Sequence, residues 1–156
     1  MARYLAWIVV VIAALSVSSL ALPQDLDQTR PHPSFSPDAV VRIQMEALGR
    51  NDEPYADRGI EITWEFASPG NKVFTGPLER FKTMIHGRNF GPMLNHKSVE
   101  YENLRVDGGD AQLDVIVLTA DDRYVGYRFG LSRQTHPSCK GCWMTDSVVP
   151  FEVTAI

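Results

Sequence analysis

Residues 60–90, IEITWEFASPGNKVFTGPLERFKTMIHGRNF, decide how the chain is read. Two short amphipathic patterns sit inside this stretch, joined by a run of Ser, Pro, Gly and Asn. The first helix is expected to begin near Asp57, with Ile60, Thr63, Trp64 and Ala67 on one face and Glu61 and Glu65 on the other. Ser68-Pro69-Gly70-Asn71 reads as the turn that ends it. Thr75 is the expected cap of the second helix, which turns Leu78, Phe81, Met84 and Ile85 inward, faces Glu79, Arg80 and Lys82 to water, and stops by Gly87. Phe90, Met93 and Leu94 then form an apolar crossover toward strands.

Downstream the period changes from helical to alternating. Residues 98–106 alternate with one break of parity, Val99 and Tyr101 against Leu104 and Val106, which a bulge near Glu102 and Asn103 reconciles. Asp107-Gly108-Gly109-Asp110 is a hairpin turn. Ala111, Leu113, Val115 and Val117 face one way, and Val125, Tyr127, Phe129 and Leu131 match them after the turn at Asp121-Asp122. A strand over residues 141–153 closes the series, with Trp143, Val149, Phe151 and Val153 on one face.

Upstream, Ser36, Pro37 and Asp38 open a further helix over residues 37–48 that stops at Gly49, Ser36 supplying the cap oxygen. Gln44 lies on or beside its apolar stripe, either as the edge of that stripe or as a polar group looking into a pocket. Three helices followed by antiparallel strands predict an α+β domain, the helices covering one face of a curved sheet of four or more strands. Residues 23–36, PQDLDQTRPHPSFS, read as a polar linker. Before them, residues 4–22, YLAWIVVVIAALSVSSLAL, form an uncharged apolar run after one arginine. Small residues at Ser19 and Ala21 suit cleavage after Ala21, so residues 1–22 are expected to be a signal peptide. An uncleaved membrane anchor is the rival, and organelle targeting the third reading. In the first case the domain, residues 37–156, is exported: periplasmic, secreted or lumenal.

Composition narrows the partners. A formal charge of −4, with 15 Lys and Arg scattered along the chain, argues against a nucleic-acid groove. No phosphate-binding glycine loop follows a strand, and no local nucleophile–base signature occurs.

The segments VVRIQMEAL, RNDEPYADRGIEITWEFASPGNK, TGPLERFKTMI, the PMLNHKS region and GCWMTD together resemble a domain-of-unknown-function family with plant and bacterial members. That family is similar in layout to the nuclear-transport-factor-two-like (SnoaL-like, cystatin-like) superfamily. The resemblance spans roughly residues 37–149 and implies a cone-shaped fold with helices wrapped on a bent sheet around a cavity. It implies no activity, because the superfamily holds isomerases, dehydratases, binding domains and assembly modules.

Acid/base chemistry in such a cavity needs a titratable pair pointing inward. Tyr127 and Asp146 are the candidates, with core aromatic and solvent-facing carboxylate as their structural readings. Asp114 is expected to face solvent near Arg128, and His86 and His96 have structural readings at the helix-to-sheet crossover. Gln44, Trp64, Phe81, Tyr101, Tyr127 and Trp143 are the expected pocket lining. Cys139 and Cys142 in the loop HPSCKGC are read as a disulfide, against two unlinked thiols or a zinc site with His136 and a fourth ligand, such as His96 or Asp146, supplied by the fold.

The reading that follows is a noncatalytic module for a small apolar ligand, or an assembly module, with no cofactor and no metal. A cofactor-free lyase or isomerase is the alternative. A homodimer formed through the sheet is a third class, for which Ile116 and Leu118 on the outer face are the sequence hint. Contact with a membrane is expected only if residues 1–22 are retained.

Overall fold

The computed structural model describes residues 29–153. The signal or anchor segment and the first part of the linker lie outside them. The domain is α+β, with four α-helices ahead of a four-stranded antiparallel sheet. The helices are α1 (Pro37–Gly49), α2 (Arg58–Glu65), α3 (Pro69–Thr75) and α4 (Leu78–Ile85). A 3-10 turn at Gly91–Met93 leads into β1 (Ser98–Asp107), β2 (Asp110–Leu118), β3 (Tyr124–Arg133) and β4 (Trp143–Phe151), paired in chain order as an open meander. Among the described residues no helix is long and apolar enough to cross a membrane.

The register of the middle strands follows from their alternation. Val117 pairs with Val125, Val115 with Tyr127, Leu113 with Phe129 and Ala111 with Leu131, so these side chains meet on the helix-covered face. Against them pack Val41, Met45 and Leu48 of α1, Ile60 of α2, and Phe81 and Ile85 of α4. The β1 register shifts between Glu102 and Arg105, with Asn103 at φ 53°, where the parity break requires it.

Several expectations are corrected. The turn at Ser68–Asn71 is instead the start of a fourth helix, α3, for which Ser68 Oγ accepts from the Asn71 N–H at 3.1 Å and Pro69 takes the first position. Thr75 therefore ends α3 rather than capping α4. At α1 the Ser36 hydroxyl makes no backbone cap; it donates to the Asp38 carboxylate at 2.7 Å.

A further correction concerns β4. Gly130 pairs with Ser147 but Leu131 with Thr145, which leaves Asp146 as an extra residue in a bulge. Beyond it the faces exchange. Trp143 and Thr145 share the covered face with Val148, the partner of Phe129, whereas Val149 and Phe151 lie on the other face. There Phe151 fills the space that a side chain at Gly126 would need, and the Arg128 guanidinium lies 5.6 Å from its ring centroid.

The outer face carries one buried charge. Asp114 is buried rather than solvent-facing, and it accepts from Arg128 Nε at 2.7 Å and Nη2 at 2.9 Å. The Arg128 hydrogen bond, with help from Asn103 and against the effect of burial, holds the Asp114 carboxyl below its ordinary value. Ile116 and Leu118 are half-buried on this face, and Tyr124 and Val149 are exposed.

Between α1 and α2, residues 50–57 are tied by one buried side chain. Asn51 Nδ2 donates to Asp52 at 2.9 Å and Asp57 at 3.2 Å, and its Oδ1 accepts from the Ile60 N–H at 3.1 Å. His86 Nε2 lies 2.7 Å from the same Asp57 carboxylate, so the ring at the end of α4 holds the start of α2. Lys82 of α4 turns to Glu61 at 2.9 Å instead of facing water.

Candidate functional site

The faces of α1, α2, α3 and α4 that look toward β3 and β4 do not meet completely. They leave an open cavity of about 250 Å³. Its wall is apolar over most of its extent, formed by Leu48, Phe81, Met84, Ile85, Met93 and Phe129 among others. Gln44, Thr63, Asn71, Thr75 and Thr145 make it polar elsewhere, and among the described residues Asp146 is the one ionisable residue of the lining.

Thr145 organises the polar part. Its N–H donates to the Phe66 carbonyl and its carbonyl accepts from the Ser68 N–H, both at 2.9 Å, so the chain between α2 and α3 is stitched to the edge of β4. Asn71 Nδ2 donates to the same carbonyl at 3.1 Å. Gln44, 1% exposed, completes the group from α1. Its nitrogen must face Thr63, because the Thr63 carbonyl 3.4 Å away can only accept. The Thr145 hydroxyl then donates to Gln44 Oε1 at 2.8 Å.

Helix α3 stands over the opening. None of its residues is buried, and Val73 and Phe74 are 79% and 78% exposed, Phe74 at the cavity itself. Lys72 turns away, its ammonium 3.4 Å from the Glu65 carbonyl and 5.5 Å from the Trp64 ring. Burial lowers its pKa, against the opposing charge of Glu65.

Of the residues expected to line a pocket, Gln44 and Phe81 line this cavity. Trp64 stands behind the wall with its ring centroid 4.9 Å from that of Phe81. Tyr101 lies under Arg42, whose guanidinium is 4.1 Å from the ring, in a separate shallow groove with Glu46 and His96. Trp143 is buried in the core away from the lining. Asn71, Phe74, Thr75 and Thr145 line the cavity without being among the pocket residues expected from the sequence. The Ser68-Pro69 start of α3, the same pair of residue types that opens α1, was the available signal for the first three.

The two acid/base candidates are not brought together. Asp146 is exposed on the rim, at the bulge. Tyr127 is fully buried outside the lining, and its hydroxyl donates to the Asn89 carbonyl at 3.0 Å. Burial, opposed by the charge of Arg123, pushes its phenol up to about 12. The unfolded value is about 10, so the folded chain keeps the proton to higher pH. The associated stability is full below the unfolded value and is lost as pH rises toward the folded one. A titration followed at 295 nm is expected to show one of the five tyrosines ionising last, near that upper value. Tyr127→Phe removes that step and flattens the alkaline fall in stability; a Tyr127→Phe titration identical to wild type refutes the assignment.

Cys139 and Cys142 form a disulfide across a Cα–Cα distance of 5.5 Å in the loop between β3 and β4. The Cys139 sulfur lies 3.4 Å from the Pro31 carbonyl oxygen, and Phe35 packs near Phe66, so residues read as linker lie along the domain. His136 points within its own loop, accepting from the Ser138 N–H at 3.2 Å. His96 Nδ1 donates to the Met93 carbonyl at 2.9 Å. Among the described residues no group of three or more His, Cys, Asp or Glu is placed to hold a metal ion.

Comparison with curated proteins found no match, and neither did comparison with solved structures. A family model does match, over residues 36–151, which runs from the cap residue of α1 to the last residue of β4. The chain therefore belongs to the family described as Domain of unknown function (DUF4864).

Proposed function

We propose that this domain is a noncatalytic binding module that holds a small apolar molecule between its helices and its sheet, in the manner of the nuclear-transport-factor-two-like layout, and works outside the cytosol. The cavity carries the reading: about 250 Å³ of space with a largely apolar wall and one ionisable residue on its exposed rim. Such a shape suits ligand capture, with a few polar groups for orientation. The apolar run of residues 4–22 supports export.

The test uses octane as probe and the full chain. Wild type is expected to bind it, and Val148→Phe, which fills the cavity from β4, is expected to weaken binding at least about tenfold while near-ultraviolet dichroism stays native. Absence of octane binding, or binding that ignores the filled cavity, refutes the reading. A cofactor-free lyase or isomerase is the second reading, favoured by the place of Asp146 in the lining. It is the weaker one, because the Tyr127 hydroxyl is committed to Asn89 and no second titratable group faces Asp146 across the cavity. Turnover lost in Asp146→Asn with octane binding intact would speak for it.

A further inference from the structure

The polar part of the cavity has an unbalanced set of hydrogen bonds. A primary amide has two N–H donors and one carbonyl acceptor. Gln44 Nε2 uses one hydrogen, toward the Thr63 carbonyl, and that contact is long at 3.4 Å. Asn71 Nδ2 uses one hydrogen, toward the Thr145 carbonyl at 3.1 Å. On the acceptor side Gln44 Oε1 takes the Thr145 hydroxyl at 2.8 Å, and the single Thr75 hydroxyl hydrogen is shared between the Asn71 backbone carbonyl at 2.9 Å and Asn71 Oδ1 at 3.1 Å. The two amides thus flank Thr145, one at its side chain and one at its carbonyl, each with an N–H left over. A buried donor without a partner is costly, and Gln44 is 1% exposed.

What remains is donors without charge. Among the described residues no Lys, Arg or His lines the cavity, and the neighbouring cation, Lys72, is turned to the Glu65 carbonyl. A carboxylate seated at the amides would be desolvated with no counter-ion. Seated the other way round it would meet Asp146 at the rim, a like charge. A hydrocarbon would leave both spare N–H groups unpaired.

Resting on the binding-module reading, we propose that the cavity takes an uncharged apolar molecule bearing one carbonyl or ether oxygen, seats that oxygen against the Gln44 and Asn71 amides, and discriminates against the corresponding carboxylate.

The test compares octane, 2-octanone and octanoate on the full chain at pH 7. Octanoate is expected to bind at least about tenfold more weakly than 2-octanone. Gln44→Met is expected to lower 2-octanone affinity about five- to tenfold and, because it makes the wall more apolar, not to lower octane affinity, so the ketone-to-alkane ratio falls by at least that factor. Comparing the ratio between variants removes the different hydrophobicity of the two probes. Should Gln44→Met fail to fold, nitrogen-15 spectra of wild type carry the test. The side-chain NH2 signals of Gln44 and Asn71 are expected to move with 2-octanone and to stay in place with octane. Octanoate binding as tightly as the ketone overturns the proposal, as do equal losses of ketone and octane in Gln44→Met, or amide signals that ignore the ketone. Those outcomes leave the module reading standing. Failure of octane itself to bind wild type removes that reading, and this proposal with it.

Discussion

Gly59→Ala is expected to destabilise the fold by about 3 kcal/mol, although alanine is intrinsically the better helix residue by about 1 kcal/mol. Gly59 lies in the first turn of α2, where the helix crosses the end of α1. A Cβ at that position would fall 2.2 Å from the Ala47 carbonyl oxygen, 2.8 Å from its carbon and 2.9 Å from the Asn51 Cα. All three are backbone atoms, which cannot rotate aside as the end of a side chain can. The Gly59 N–H also donates to the Asn51 carbonyl at 2.9 Å, so pushing the helices apart breaks a hydrogen bond as well as packing. The sign is the diagnostic part. Urea denaturation should show a lower midpoint with an unchanged slope; an unchanged or raised midpoint means that the helices do not approach this closely.

Asn51→Leu keeps the number and branching of side-chain heavy atoms and removes the hydrogen-bonding groups, and is expected to cost about 3 kcal/mol. The buried Ile60 N–H loses its acceptor, and Asp52 and Asp57 lose a shared donor. The Asp52 carboxyl is held below its ordinary value first by the Asp57 N–H and then by Asn95, with burial opposing and Asn51 assisting. Its stabilising effect is therefore present above the unfolded value near 4 and is lost as pH falls through the folded one. Because Asn51 is one of its donors, the loss of stability caused by Asn51→Leu should shrink as pH falls through the folded value of Asp52. A penalty of the same size at pH 7 and in acid would show that the carboxylates play no part, and a penalty under about 1 kcal/mol would show that the residue is not the hub.

Where the information was local, the chain could be read from its letters. The partners of Tyr127, Phe129 and Leu131 in β2 followed from alternation, because both strands bury one face against the same helices. The bulge in β1 was visible because its own apolar residues change parity within the strand. The bulge in β4 was not, since Thr145 is held by Phe66 and Ser68, residues far away in sequence. Phe151 then misled by being apolar on the outer face, where it occupies the gap at Gly126. The site divides the same way. Gln44 showed itself as a polar residue on an apolar stripe, whereas Asn71, Thr75 and Thr145 acquire meaning only when α3 is laid against β4. Tyr101 and Trp143 are aromatic residues whose burial is spent on Arg42 and on the core.

The two bulges fall in β1 and β4, the strands that border the sheet. A border strand offers a row of unpaired amides that another chain can zip onto, the first step toward swapped or fibrous assemblies. In β1 the ladder breaks between Glu102 and Arg105. In β4 it breaks at Asp146, Thr145 is already bonded to the chain between α2 and α3, and Pro150 has no N–H to give. Neither border presents a continuous template of any length. The bulge at Asp146 thus shapes the rim of the cavity and, in the same place, interrupts the ladder of a border strand.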